Sequence, residues 1–219
     1  MCKENLVLRY FDIPGRAEVT RLLFIYGGVE FVDKRIPKAM YPCIKSSLQL
    51  PFGSLPTLEV QGETFGCALA IARYAAKLVG LYPEDHPLLA FKVDQLANLI
   101  NDTMVALFMI LYMDGCAILR SKRLRRVRRK IPKLLQQLED EAHDEGTYFS
   151  SMTWIDIYLF DLIHNVLLRY YEVLGISFHG YTKLKRIYKN VIRNPDIANY
   201  LTHGDGTSAF HRAQRTFSI

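Results

Sequence analysis

Cysteine is scarce in this chain and never paired at short range. The four, Cys2, Cys43, Cys67 and Cys116, have no CxxC spacing, so the usual signatures of a zinc site or a dithiol redox turn are missing. They read as reduced thiols of a cytoplasmic protein that holds no metal. The opening "MCKENLVLRY" lacks an apolar signal core, and no apolar run is of membrane-spanning length. No membrane is therefore expected among the partners. Internal repeats and extended low-complexity segments are absent as well.

What is there is a chain of 219 residues, half of them hydrophobic, enough for one large domain or two small ones. Its net charge of +6 favours anionic partners without choosing one. The first eighty residues alternate strand and helix. "NLVLRYF" reads as a strand, "DIPG" as a turn, and "GRAEVTRLLFIYGG" as a helix closed by Gly27 and Gly28. "EFVDKRI" is a second strand and "MYPCIKSSL" a short irregular helix. "LPTLEV", a turn at Gly62 and "ETF" form a hairpin, followed by a helix from Cys67. The order βαβ-α-ββα predicts a small mixed sheet with helices packed on it.

After "GLYPEDHP" the pattern becomes helical throughout. The expected segments are Leu88 to Met113, Arg120 to Ala142, Thr153 to Tyr171, Tyr181 to Arg193 and a short helix from Pro195. This divides the chain into an α/β domain over 1–80, a linker over 81–87, an all-α domain over 88–202 and a tail over 203–219. Thr153 and Asp156 in "TWID" have the spacing of a capping box, flanked by Met152 and Ile157 as a hydrophobic staple.

Two features stand apart. The helix that opens at "GCA", Gly66 to Ala68, has no Ser, Thr, Asp or Asn to cap it. Bare N–H groups at a helix start attract anions. In "RSKRLRRVRRK", Arg120 to Lys130, eight of eleven residues are basic, and "EDEAHDE", Glu139 to Glu145, is acidic near the other end. Both blocks oppose the helix dipole. The run reads as a solvated face whose ends pair with neighbouring or dimer-related charges. An anionic ligand, a localisation patch and nucleic acid stand beside that reading. No aromatic residue interleaves the run, so single-strand stacking is not expected, and nucleic acid is not among the expected partners.

Taken together, "LRYFDIPGRAEVTRLLF", "LPFGSLPTLEV", "LAIARYAAKLVGLYP" and "TWIDIYLFDLI" resemble the cytosolic glutathione transferases, most of all the sigma class. That class includes prostaglandin-isomerising enzymes and the S-crystallins. The resemblance implies a thioredoxin-like N-terminal domain plus a C-terminal helical domain, assembled as a homodimer. It implies glutathione as co-substrate and a hydrophobic electrophile or lipid as its reaction partner. Tyr10 matches the catalytic tyrosine and Arg16 an arginine near the same site. Tyr41 and Lys45 match the residues that meet the glycine carboxylate of glutathione, with Tyr41 in place of the usual tryptophan. The segment from Lys45 to Pro51 is about two residues longer than the usual pattern. Leu55 and Pro56 match the cis-proline segment that presents backbone groups to the cysteinyl part. Cys67 and Ala68 stand where the family carries a Gln-Ser pair for the γ-glutamyl carboxylate. Asp102 matches an acid that reaches across the dimer toward the γ-glutamyl amine; it reads equally as a solvated helix aspartate. The resemblance supports a transferase with a weakened γ-glutamyl anchor. The rival is a weak or inactive protein on the same fold, structural like a crystallin or a carrier of hydrophobic anions.

Overall fold

The computed structural model describes residues 5–113 and 115–203. Cys2 and residues 204–219 of the expected tail lie outside them. The chain divides into two compact units, Met1–Glu84 and Asp85–Ile219.

In the first unit, β1 (Leu6–Phe11) alternates buried and half-buried positions along its length, as a strand with one face on a core must. It pairs in parallel with β2 (Val32–Ile36), Tyr10 opposite Arg35, and antiparallel with β3 (Thr57–Val60), Arg9 opposite Thr57. β4 (Glu63–Phe65) completes the sheet in the order β2-β1-β3-β4. The crossover from β1 to β2 carries a 3₁₀ turn, Gly15–Ala17, and α1 (Glu18–Tyr26). α2 (Tyr41–Ile44) runs into a second 3₁₀ turn, Lys45–Ser47, and buries none of its residues. α3 (Ala68–Leu78) turns Ala68, Ile71, Ala72, Ala75 and Ala76 inward and packs on α1. The small alanines permit that close packing.

The second unit is helical among the described residues. It comprises α4 (Pro87–Phe108), α5 (Ala117–Glu141), α6 (Trp154–Asp161), α7 (Tyr171–Leu174), α8 (Thr182–Ile192) and α9 (Pro195–His203). Wide π turns follow α4 at Met109–Met113 and α6 at Leu162–Leu168. α9 takes in His203, which the sequence reading gave to the tail. One sequence expectation is corrected here. The stretch Pro87–Tyr112 is long and apolar enough to cross a membrane by length and composition. Isolated charges at Lys92, Asp94 and Asp102 conceal this from a search for an unbroken apolar run. Its buried row, Val93, Leu96, Ala97, Ile100, Met104 and Leu107, forms core of the helical unit.

Thr153 and Asp156 form the expected capping box at the start of α6. The Thr153 N–H donates to Asp156 Oδ2 at 2.8 Å and the Tyr148 N–H to Oδ1 at 2.6 Å. The acidic block also finds work inside this unit. Glu139 Oε1 accepts the Lys183 N–H at 2.7 Å and Oε2 the Leu184 N–H at 2.9 Å. It thereby satisfies orphan donors at the start of α8. Asp144 pairs with Arg186 at 3.1 Å.

Burial pushes the Asp156 carboxyl from 3.8 up to about 6, while the bonds from Thr153 and Tyr148 hold it back in part. A folded-state value above the unfolded one means the native state binds this proton more tightly. The stability it contributes is full below 3.8 and is lost as pH rises through about 6. Urea unfolding should therefore show the gap between the parent and Asp156→Asn narrowing over that range. At neutral pH Asp156→Ala should cost about 2–4 kcal/mol, because two buried N–H donors lose their acceptor.

Candidate functional site

The sheet topology gathers most of the sequence-selected residues at one end. β1 and β2 finish there, β3 begins there, and β4 finishes there, since Leu58 pairs with Phe65. Tyr10 therefore lies close to the entry of β3, whose preceding peptide, Leu55–Pro56, is cis. Both Leu55 and Pro56 are buried. α2 leaves from the same end and α3 starts there.

Tyr10 is held from below by the backbone that follows it. Gly15 has φ +53°, and a Cβ on it would stand 2.7 Å from Tyr10 Cε1 and 2.8 Å from the hydroxyl oxygen. Only glycine meets both demands, a left-handed backbone and an aromatic ring at contact distance. The next residue donates its N–H to Tyr10 Oη at 3.2 Å. The hydroxyl oxygen thus accepts a backbone bond, which polarises its O–H. Arg16 reaches Tyr10 through its backbone. Its side chain is half-buried, with Nε shielded and unpartnered among the described residues.

The turn above is fixed by Arg21, which sequence reasoning did not select. Its guanidinium is fully buried. Nη1 donates to the Ile13 carbonyl at 3.0 Å, to that of Pro14 at 3.1 Å and to Glu18 Oε2 at 2.9 Å. Nε meets both oxygens of Asp33 at 3.0–3.1 Å. Arg35 extends the set, donating to Asp33 at 2.8 Å and to Asp12 at 3.4 Å. The available signal was an arginine inside the apolar stretch Val19–Phe24 with Glu18 three residues before it.

Aromatic edges lead outward from Tyr10. Its ring meets Phe11 at 5.3 Å, and Phe11 meets Tyr41 edge-on at 5.0 Å. Lys45 Nζ lies 5.9 Å from the Tyr41 ring. Tyr41 and Lys45 are thus brought together, the first half-buried and the second exposed. At the start of α3, Cys67 occupies the N-cap with φ +70° and ψ +103° and makes no side-chain cap bond. Its thiol is exposed, and Ala68 behind it is buried. Asp102 is exposed on α4, in the second unit, and makes no side-chain bond among the described residues. No group of three or more His, Cys, Asp or Glu able to hold a metal occurs among the described residues.

A family model for the glutathione S-transferase C-terminal domain matches residues 101–204. Hematopoietic prostaglandin D synthase of Gallus gallus is 32% identical over 199 residues, 90% of this chain and 95% of that one. Glutathione S-transferase 1 of Ascaris suum is 31% identical over 204 residues, covering 89% and 94%. The structure of rat hematopoietic prostaglandin D synthase with a quinoline superimposes with a TM-score of 0.79 at 30% identity, over 91% of this chain and 97% of that one. The chain belongs to the glutathione S-transferase family. Its sheet and helical unit are those of the glutathione transferase fold, and the sigma-class likeness of its motifs agrees with these relatives.

Gly15→Ala should dislodge the Tyr10 ring and strain the turn, with a loss of about 1–3 kcal/mol by urea unfolding. Arg21→Met should cost about 3–5 kcal/mol, because Glu18 would be left buried without its counter-charge.

Proposed function

We propose that the protein is a glutathione transferase that adds the glutathione thiolate to a hydrophobic electrophile or uses it to isomerise a lipid, and that its γ-glutamyl anchor is weakened. The observation that carries this reading is the Tyr10 hydroxyl, placed at the end of β1 and accepting the Arg16 N–H. A free thiol has a pKa of about 8.5. A hydrogen bond donated to the sulfur favours the thiolate, which then attacks the electrophilic carbon as its leaving group departs. Arg16 adds positive potential beside it. The peptide of Leu55 and Pro56 takes the cysteinyl backbone, and Tyr41 with Lys45 takes the glycine carboxylate. The open N–H groups at the start of α3 take the γ-glutamyl carboxylate, without help from a Cys67 or Ala68 side chain. A homodimer in the cytoplasm completes the proposal, with Asp102 serving the partner's γ-glutamyl amine. Leu88, Phe91, Leu99 and Val105 are exposed apolar residues of α4, with Met109 just beyond its end, which supports pairing of two copies.

The bare helix start also supports a rival reading on the same fold, a structural protein or a carrier of hydrophobic anions. Retention on immobilised glutathione and conjugation of an activated aryl halide separate the two. Tyr10→Phe should lower turnover by about a hundredfold or more, the scale of one lost donor to a developing anion, with glutathione affinity nearly unchanged. Equal turnover would move activation of the sulfur to another group. Calorimetry of the Cys67→Gln, Ala68→Ser double variant should show glutathione binding tighter by about 1–3 kcal/mol. If neither protein binds, the rival reading stands. A monomer at micromolar concentration and physiological salt would remove the dimer.

A further inference from the structure

The first half of α5 is a charged surface that the fold does not use. The run Arg120–Lys130 holds eight of the chain's 28 basic residues and no acid, so the remaining 20 basic against 22 acidic residues leave the rest at net −2. Basic character here is local. Among the described residues, the side chains of Arg120, Lys122, Arg125, Arg126, Arg129 and Lys130 make no hydrogen bond or ion pair within the chain. Arg128 is spent on the Val173 carbonyl at 2.7 Å, and Arg123 is engaged as well. Of the acids that might have answered the run, Glu139 serves α8 and Asp144 serves Arg186.

The geometry is that of a stripe. Lys122, Arg125, Arg126 and Arg129 follow the helical repeat and line one shallow hollow. They lie opposite the row Val127, Ile131, Leu134 and Leu138, which faces the core. The helix carries no acid before Glu139, so the stripe is not interrupted. It gains nothing from the dipole, because it lies toward the helix N-terminus. Just before it, Ile118 is 68% exposed and Leu119 49%, on the same side of the helix as the stripe. Six of the eight cations are arginines, the side chain suited to forked bonds with phosphate.

We infer that this face of α5 adsorbs to an anionic phospholipid surface, with the cations on headgroup phosphates and Ile118 and Leu119 dipping into the interface. The exposed aliphatic pair decides between this and a nucleic acid. Lipid gives it a place to be buried. The run also lacks the aromatic residues that stack on bases, and Ser121 is its only uncharged polar residue. The inference departs from the expectation of no membrane partner, which concerned spanning segments; adsorption needs none. It rests on residues that the glutathione site does not use.

Vesicle co-sedimentation tests it on the intact protein. Vesicles of phosphatidylcholine with phosphatidylserine should bind at about 0.1 M salt and release the protein as salt rises; phosphatidylcholine alone should not bind. The Arg125→Gln, Arg126→Gln, Arg129→Gln variant should lose about a hundredfold in affinity for the anionic vesicles. Ile118→Ser with Leu119→Ser should lose severalfold. Both variants should melt like the parent by circular dichroism, since these side chains face solvent. No binding to the anionic vesicles, or equal binding to neutral ones, overturns the inference. So does an aliphatic variant that binds like the parent, or a short DNA duplex that binds more tightly than the vesicles.

Discussion

A guanidinium with no access to water holds the business end of the sheet. Arg21 sits fully buried, and removing such a charge from water costs several kcal/mol unless its donors are met. Those of Nε and Nη1 are met by Glu18 from α1, by Asp33 from β2 and by the carbonyls of Ile13 and Pro14. The helix, the neighbouring strand and the turn that precedes the helix are therefore bound to one planar cation. A lysine could not replace it, because one ammonium does not reach four partners set in a fork. Once residues 13 and 14 are pinned, the left-handed Gly15 follows, and with it the N–H that meets Tyr10. The orientation of the tyrosine hydroxyl thus depends on a residue that has no chemistry of its own.

That dependence explains what could be read in the sequence and what could not. Strands, helices and the hairpin follow from local periodicity and turn chemistry, and they appear nearly as expected. Thr153 and Asp156 were legible because a capping box is a pattern of four consecutive residues. Arg21 was not, since its partner Asp33 is twelve residues away and only the parallel pairing of β1 with β2 brings it near. Glu139 misled for the same reason. It opposes the dipole of its own helix, yet its bonds run to Lys183 and Leu184, more than forty residues on. Tyr10, Leu55 and Pro56 came from family motifs, and the sheet register supplies what motifs cannot, their common placement at one end.

The opening of α3 shows how a site is kept in outline and altered in detail. Cys67 adopts a positive φ that non-glycine residues seldom take, at a cost of order 1–3 kcal/mol. Glycine at 67 would relieve it, whereas Gly66 is confined, since a Cβ there would meet the Phe52 ring at 2.8 Å. The strained backbone aims the first N–H groups of the helix irrespective of the side chain at 67. An anion bound there would be held by those N–H groups and the dipole, with no hydroxyl or amide to add to them. Exchanging a side chain at this position changes the strength of the anchor and leaves its direction in place.

The two charge blocks of α5 look symmetrical in sequence and are not so in structure. Two of the acids are absorbed into the helical unit, where Glu139 caps α8 and Asp144 pairs with Arg186. Most of the cations meet nothing among the described residues, repel one another and lie at the unfavourable end of the dipole. Folding gives them no return, while the same helix buries its apolar row perfectly well with polar uncharged residues outside, as Gln136 and Gln137 do further along. A neutral face would thus have served the fold equally. The cations are confined to one stretch, with the rest of the chain net acidic, which separates this surface from general basicity. The glutathione reading rests on Tyr10 and the start of α3, and the surface reading on Ile118 to Arg129. They share no side chain, so either can fail while the other stands.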